Sequence, residues 1–278
     1  MKKEKKKKLK KKIAALGTAA LMACTDPKPA ADEMNVYFFN AGKADAAIIY
    51  TDEAAVVIDT GETGFGAKIL AYMQASSISS LDCLIITHFD KDHVGGAAEL
   101  IRGTEVKKVL ISNCPKESSE YQAFAKALEE KGIEAESVFG EEPLAFTIDG
   151  MAFIVDGPDQ ETYEKDPSNN SSLITSVTYR DVSFLFAGDS ENERILEYLE
   201  DYEGTYDVLK VPYHGKYNKQ LSQLLEEAQP SCAVITCSKE EGGEEKTLSL
   251  LEKQGIPYYL TYNGGVLITA GEELKIRQ

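Results

Sequence analysis

Thr87-His88-Phe89-Asp90-Lys91-Asp92-His93-Val94-Gly95-Gly96 is the stretch on which the reading of this chain turns. Within the six positions 88–93, His88, Asp90, Asp92 and His93 offer four side chains able to hold a metal ion. The segment follows Leu84-Ile85-Ile86, a short apolar run with β-branched residues that reads as a buried strand end. It leads into Val94-Gly95-Gly96-Ala97-Ala98-Glu99-Leu100, read as a helix start. Side chains crowded into a strand-to-helix loop can turn onto one point, and neutral imidazole and carboxylate oxygen suit zinc, manganese or iron. The two glycines remove bulk where the backbone must pass close.

Working outward, the chain has only three histidines in 278 residues. The third, His214, follows the strand-like run Val208-Leu209-Lys210-Val211 in Pro212-Tyr213-His214-Gly215. A lone histidine in such a loop is more simply a side chain satisfied by neighbouring carbonyls. Clustered carboxylates and histidines point instead to metal ions.

The segment resembles the signature of the metallo-β-lactamase fold superfamily, in the HxDxDH form of the branch related to competence proteins of the ComEC type and to surface phosphorylcholine esterases. Other stretches are similar in the same order. Asn40-Ala41-Gly42-Lys43-Ala44-Asp45-Ala46 resembles the branch's DVGQGDA opening, and Val57-Ile58-Asp59-Thr60-Gly61 its IDTG strand end. Asn169-Asn170-Ser171-Ser172-Leu173 resembles NxxSL, Phe186-Ala187-Gly188-Asp189 the TGD turn, and Val211-Pro212-Tyr213-His214-Gly215 the VPHHG segment.

The resemblance implies an α/β fold, the αββα four-layer sandwich, over residues 35–278. It implies that His88 and Asp90 serve one metal, that Asp92, His93 and His214 serve the other, and that Asp189 bridges them. Asp59 is expected to orient a ligand from behind. Three departures stand out: Asp90 replaces a histidine, the usual third histidine of the first metal is missing with Asn169 or Asn170 nearest, and Tyr213 and Lys216 replace the first histidine and the serine around HHG. The expected cofactor is a pair of divalent ions, zinc first, with manganese or iron as alternatives. Two such ions about 3.5–4 Å apart lower the pKa of a shared water and make it a nucleophile. Asp92 and Asp189 are the expected catalytic carboxylates, and Tyr213, Lys216 or water the proton source for the leaving group.

Residues 2–12 carry nine lysines and one glutamate, and the apolar stretch Ile13–Met22 follows. A ten-residue stretch falls short of the ~20 apolar residues needed to span a bilayer, so the pattern reads as a signal peptide, residues 1–23. Leu21-Met22-Ala23-Cys24 resembles a bacterial lipobox. The expectation is a lipid on Cys24, a tether over residues 24–34 and a place on the outer face of the cell membrane.

Losing the leader's nine lysines and one glutamate would take the formal net charge from −16 to −24. Such acidity disfavours stable nucleic-acid binding, which needs Lys and Arg against phosphates, but leaves a phosphoester substrate open at a metal centre. Lys43, Lys91, Lys210, Lys216 and Lys219 lie in or beside the motif loops and are candidates for a cationic mouth. Cys83, Cys232 and Cys237 sit in apolar runs and read as core residues, whereas Cys114 ends a strand-like run.

Strand-like runs occur near 35–40, 45–50, 54–58, 82–86, 107–111, 150–155, 172–180, 182–187, 207–211, 231–236, 257–261 and 265–269. Helical segments are expected at 65–76, 94–102, 117–131, 191–202, 217–228 and 244–254. Three functions are compatible with this pattern: a lipid-anchored phosphodiesterase acting on DNA or surface polymers, a metallohydrolase of thioesters, lactones or β-lactams, and a non-catalytic metal-containing surface binding protein.

Overall fold

The computed structural model describes residues 29–202 and 204–278. The leader and Cys24 lie outside the described residues.

The first half of the chain forms β1 (Met34–Phe38), β2 (Ala46–Tyr50), β3 (Ala55–Thr60), α1 (Gly66–Ala75), β4 (Ser80–Leu81), β5 (Cys83–Ile86), α2 (Lys91–Val94), α3 (Ala97–Gly103), β6 (Glu105–Val106), β7 (Val109–Ser112), α4 (Ser119–Lys131) and β8 (Ala135–Val138). The second half forms β9 (Leu144–Ile148), β10 (Met151–Asp156), α5 (Pro167–Asn170), β11 (Ile174–Tyr179), β12 (Val182–Phe186), α6 (Asn192–Asp201), β13 (Val208–Lys210), α7 (Leu221–Ala228), β14 (Cys232–Ile235), α8 (Glu245–Gln254), β15 (Tyr258–Leu260), β16 (Val266–Ala270) and β17 (Leu274–Arg277).

One large sheet runs in the order β17-β16-β1-β2-β3-β5-β7-β8, a second in the order β15-β14-β13-β12-β11-β10-β9, and β4 and β6 pair as a short third. Alternate residues of the two large sheets meet in a shared core. Val56 and Ile58 of β3, Ile85 of β5, Phe153 of β10 and Phe184 of β12 all belong to it. The opposite faces carry helices. Val57, Leu84 and Ile86 pack with Ile69, Leu100, Ile101 and Phe124 outside the first sheet. Leu185, Leu209 and Ala233 pack with Ile195, Leu224, Leu225 and Leu251 outside the second. Three apolar layers separate four layers of secondary structure, which is the expected αββα sandwich. Strands covered on both faces read as continuous apolar runs, and each fully buried aliphatic side chain contributes about 1.5–3 kcal/mol.

The strands that escaped sequence reading are informative. Of four residues or more, they are β8, β9 and β17, and each lies at the end of a sheet. Their Glu136, Thr147, Lys275 and Arg277 face water, so no continuous apolar run marks them. Two helical expectations also shift. The segment expected as a helix over 94–102 splits into α2 and α3, and Asp92 and His93 lie on α2 rather than in a loop. The helix expected from 217 starts at Leu221.

The split has a steric cause. A Cβ at Gly95 would meet the Lys91 carbonyl oxygen at 2.3 Å and the Thr63 nitrogen at 2.5 Å, and one at Gly96 would meet the Thr60 oxygen at 2.4 Å. The glycines thus allow close approach to the turn after β3, not to the ligands themselves. Phe89, buried in the outer core and edge-on to Tyr121 of α4 at 4.7 Å, pins the other side of the motif.

Among the described residues Cys83, Cys114, Cys232 and Cys237 are free thiols, and Cys83, Cys232 and Cys237 are buried as expected of core residues. No helix among the described residues is long and apolar enough to cross a membrane.

Candidate metal centre

The parallel pairs β3/β5 and β12/β13 fix where the chemistry gathers. Asp59 is the last residue but one of β3, His88 follows β5, Asp189 follows β12 and His214 follows β13. All emerge at the carboxyl ends of parallel strands, where open α/β sheets place their ligands. The β1–β2 loop joins them, since Asp45 N–H donates to the Asp92 carbonyl (3.1 Å) and Gly61 N–H to the Asp45 carbonyl (2.7 Å).

His88, His93 and His214 are all fully buried. Each is held by its Nδ1 face. His93 Nδ1 lies 2.8 Å from Asp59 Oδ2. His214 Nδ1 lies 3.1 Å from the Thr236 carbonyl and 3.2 Å from Asp45 Oδ1. His88 Nδ1 lies 3.2 Å from Thr87 Oγ1 and 3.4 Å from Ser172 Oγ. The three Nε2 atoms, with Asp189 Oδ1, are buried and have no hydrogen-bond partner. Buried polar atoms are ordinarily satisfied, and pinned Nδ1 atoms that leave Nε2 bare are the arrangement by which partners orient metal-binding imidazoles. The residues therefore fit divalent ions.

His93 Nε2 is 3.3 Å from Asp189 Oδ1, and His214 Nε2 is 3.2 Å from Asp189 Oδ2 and 3.5 Å from Asp92 Oδ2. Ligand atoms of Asp92, His93 and His214 gather within 4.8 Å of one another, and so do those of His88, His93 and Asp189. Asp189 thus reaches both groups, in keeping with a bridging place. Asp90 stands apart, its Oδ1 4.0 Å from His88 Nε2 and hydrogen-bonded to Lys116 and Ser168.

The asparagines expected near the first metal differ. Asn170 Oδ1 accepts from the Glu191 and Arg194 nitrogens, and its Nδ2 donates to the Lys165 carbonyl, so it braces the loop rather than facing an ion. Asn169 lines the cleft and donates to Glu191 Oε1 (2.9 Å). Tyr213 also lines the cleft, and Lys216 Nζ donates to its hydroxyl at 3.1 Å.

Sequence reading assigned no role to Asp45. It is buried, bonded to Lys210 and Thr236 as well as near His214, and it stands behind His214 as Asp59 stands behind His93. Its place in the DVGQGDA-like stretch was the available signal. Lys210 belongs to this buried layer and donates to the Gly188 carbonyl (2.8 Å), so it is not part of the mouth. Lys43 and Lys91 do line the cleft, and Lys116, which sequence reading passed over, joins them.

Burial pushes all of these groups toward neutrality, and their neighbours then sort them. Burial and the nearby His93 take His88 down to about 4. For His93 and His214 burial also pulls down, but Asp189 with Asp59 carries His93 well above its ordinary value, and Asp189 with Asp45 takes His214 to about 10. Burial would raise the Asp189 and Asp92 carboxyls, yet the two imidazoles hold both low. Asp45 is likewise held low by Lys210 and His214 against its burial.

Backbone strain marks the same place. Tyr213 and His214 take φ of +51° and +52° in succession, a conformation that costs non-glycine residues about 1–3 kcal/mol each and is retained where function needs it.

Residues 40–238 match the family described as the Metallo-beta-lactamase superfamily. ComE operon protein 3 of Bacillus subtilis (strain 168) is 28% identical over 257 residues, covering 84% of this chain and 33% of that protein. Recombination protein 2 of Haemophilus influenzae is 25% identical over 207 residues, covering 72% of this chain and 24% of that protein. The chain thus spans a third or less of the length of these two curated relatives. Among solved structures, the metallo-beta-lactamase fold protein YhfI of Bacillus subtilis superposes with a TM-score of 0.62 at 12% identity, covering 86% of this chain and all of that one. At that identity the likeness speaks for the fold. Because the family match covers residues 40–238 and takes in every proposed ligand from His88 to His214, the chain belongs to the metallo-beta-lactamase superfamily.

Proposed function

We propose that this metal-dependent hydrolase cuts phosphodiester bonds, of DNA or of surface polymers, on the outer face of the cell membrane, where a lipid on Cys24 tethers it. One observation carries the catalytic part. The bare Nε2 atoms and Asp189 Oδ1 gather beside a cleft of about 760 Å³ that Asp92, Asp189 and Tyr213 line together with Lys43, Lys91 and Lys116.

His88, Asp90, Asp92, His93, Asp189 and His214 would hold two divalent ions, zinc first among zinc, manganese and iron. Ions held there supply Lewis acidity toward the phosphoryl group and lower the pKa of an attacking water. The chain's own part is to hold each imidazole by its Nδ1 face, through Asp59, Asp45, Thr236 and the Thr87 and Ser172 hydroxyls. Lys43 Nζ, 3.5 Å from Asp92 Oδ2, is placed to meet a phosphate oxygen beside the ligands. Tyr213, with Lys216 on its hydroxyl, lines the cleft where a leaving group would depart. A few lysines at one cleft of a body whose formal net charge is −24 without the leader favour capture at the centre over broad polyanion binding.

The test is turnover of bis-p-nitrophenyl phosphate by the metal-loaded protein beside thioester and lactam reporters. His93→Ala and Asp189→Ala should each abolish turnover with the circular dichroism spectrum unchanged. Turnover of a thioester or lactam with none of the phosphodiester would refute the substrate class. For the anchor, Cys24→Ala should release the protein from the membrane fraction, and retention there would refute lipidation at Cys24.

A further inference from the structure

The two metal positions are unequally prepared, and Lys116, which lies in none of the motifs, makes the difference. Around Asp189 the position of Asp92, His93 and His214 presents two bare, fully buried Nε2 atoms. The other has His88 Nε2, equally bare and within reach of Asp189, and Asp90, whose Oδ1 lies 4.0 Å away. That oxygen already accepts from Lys116 Nζ and from Ser168 Oγ. The imidazole beside His88 is that of His93, their ring centroids 4.1 Å apart, and it is shared with the other position, its Nε2 facing Asp189 Oδ1 at 3.3 Å, while the Asn170 amide is spent on its own loop.

A metal ion and an ammonium cannot both take the same carboxylate oxygen. An ion seated between His88 and Asp90 either evicts Lys116 or sits beside its charge, and both weaken its hold. Eviction is open to Lys116, because it lies in the segment between β7 and α4 with its side chain 43% exposed. It can move into water without vacating a buried place.

We propose that Lys116 is a built-in competitor for the first metal position. The Asp92, His93, His214 and Asp189 position fills first, and an ion enters the His88–Asp90 position only as Lys116 leaves Asp90. The inference rests on the metal-centre reading above and concerns this chain's own residues.

Zinc alone is titrated into the ion-stripped full chain against a chromophoric chelator, for wild type, Lys116→Met, Lys116→Arg and Lys91→Met. Wild type should show one tight and one weaker zinc. Lys116→Met should tighten the weaker one about tenfold or more, the scale of one hydrogen bond to a charged group, and leave the tight one unchanged. Lys116→Arg should keep it weak. Lys91→Met removes the same charge from the cleft rim, where Lys91 faces Glu62 at 3.8 Å, and should move neither by more than about twofold.

A weaker class that Lys116→Met leaves alone or weakens further overturns the proposal. Equal tightening by Lys91→Met also overturns it, by reducing the effect to a general field. Wild type that takes up no zinc at all would instead overturn the metal-centre reading, and the competitor with it.

Discussion

Asp59→Asn tests the support behind the centre with the smallest change of shape. Asp59 Oδ1 accepts from the Thr87 N–H at 2.8 Å, and Oδ2 accepts from the Thr87 hydroxyl at 2.7 Å and faces His93 Nδ1 at 2.8 Å. An asparagine must place its NH2 at one of these two points. Facing the Thr87 N–H, it sets donor against donor and leaves a buried amide unsatisfied, at about 1–3 kcal/mol. Facing His93, it donates to Nδ1, drives the proton onto Nε2 and removes the lone pair an ion needs. The second orientation avoids the buried penalty, so metal affinity should bear the larger effect. Loss of an orienting partner of this kind costs about 10–100-fold in affinity, or about 1.4–2.7 kcal/mol. Chelator competition measures the affinity, and thermal unfolding of the ion-free protein checks the fold. An affinity within about twofold of wild type, with the fold intact, would refute the argument that Asp59 sets the His93 tautomer.

Three further outcomes follow from the structure. In the ion-free chain at pH 7.5 His214, at about 10, carries a proton, and Asp189 with Asp59 shifts His93 in the same direction, so ion uptake should release at least one proton. Calorimetry in buffers of different ionisation enthalpy counts the protons released, and a buffer-independent heat would refute the assignment. Because the folded state binds the His214 proton more tightly than the unfolded chain, the stability it contributes is complete below about pH 6.5 and is lost as the pH rises through about 10. The ion-free protein should therefore unfold more readily at pH 9.5 than at pH 7, all else equal, and rising stability over that interval would count against it. Gly95→Ala forces a Cβ to within 2.3 Å of a backbone oxygen and should cost about 1–3 kcal/mol. That is a fall of roughly 2–4 °C in melting temperature per kcal/mol, and an unchanged melting temperature would show that the turn after β3 yields freely.

The doubly covered strands were legible as apolar runs because both faces are buried, and so was α4, bounded by the Ser118 cap and by Gly132 at φ +65°. The edge strands β8, β9 and β17 were not, because half-exposed strands alternate and admit charge. Of the ligands expected from the motifs, His88, His93, His214, Asp92 and Asp189 come together. Asp90 is reached by Lys116 and Ser168, from segments 26 and 78 residues further along. Local spacing carries no trace of such contacts.

By itself the sequence determined which chemistry is available: three histidines, the carboxylates around them, and the apolar runs that become parallel strands ending at those residues. Only the tertiary structure decided how that chemistry is used. Which imidazole nitrogen is free depends on Asp59, Asp45 and Thr236, and which carboxylate oxygen is taken depends on Lys116. Lys210 shows the same division. Sequence placed it beside a motif, but only packing of the two sheets buried it behind Asp189 rather than at the mouth. The physical reason is reach. Strand and helix periodicity are written in neighbours a few positions apart, whereas hydrogen-bond and charge partners are chosen by proximity in space between segments tens to nearly two hundred residues apart, as with Asp45 and Thr236.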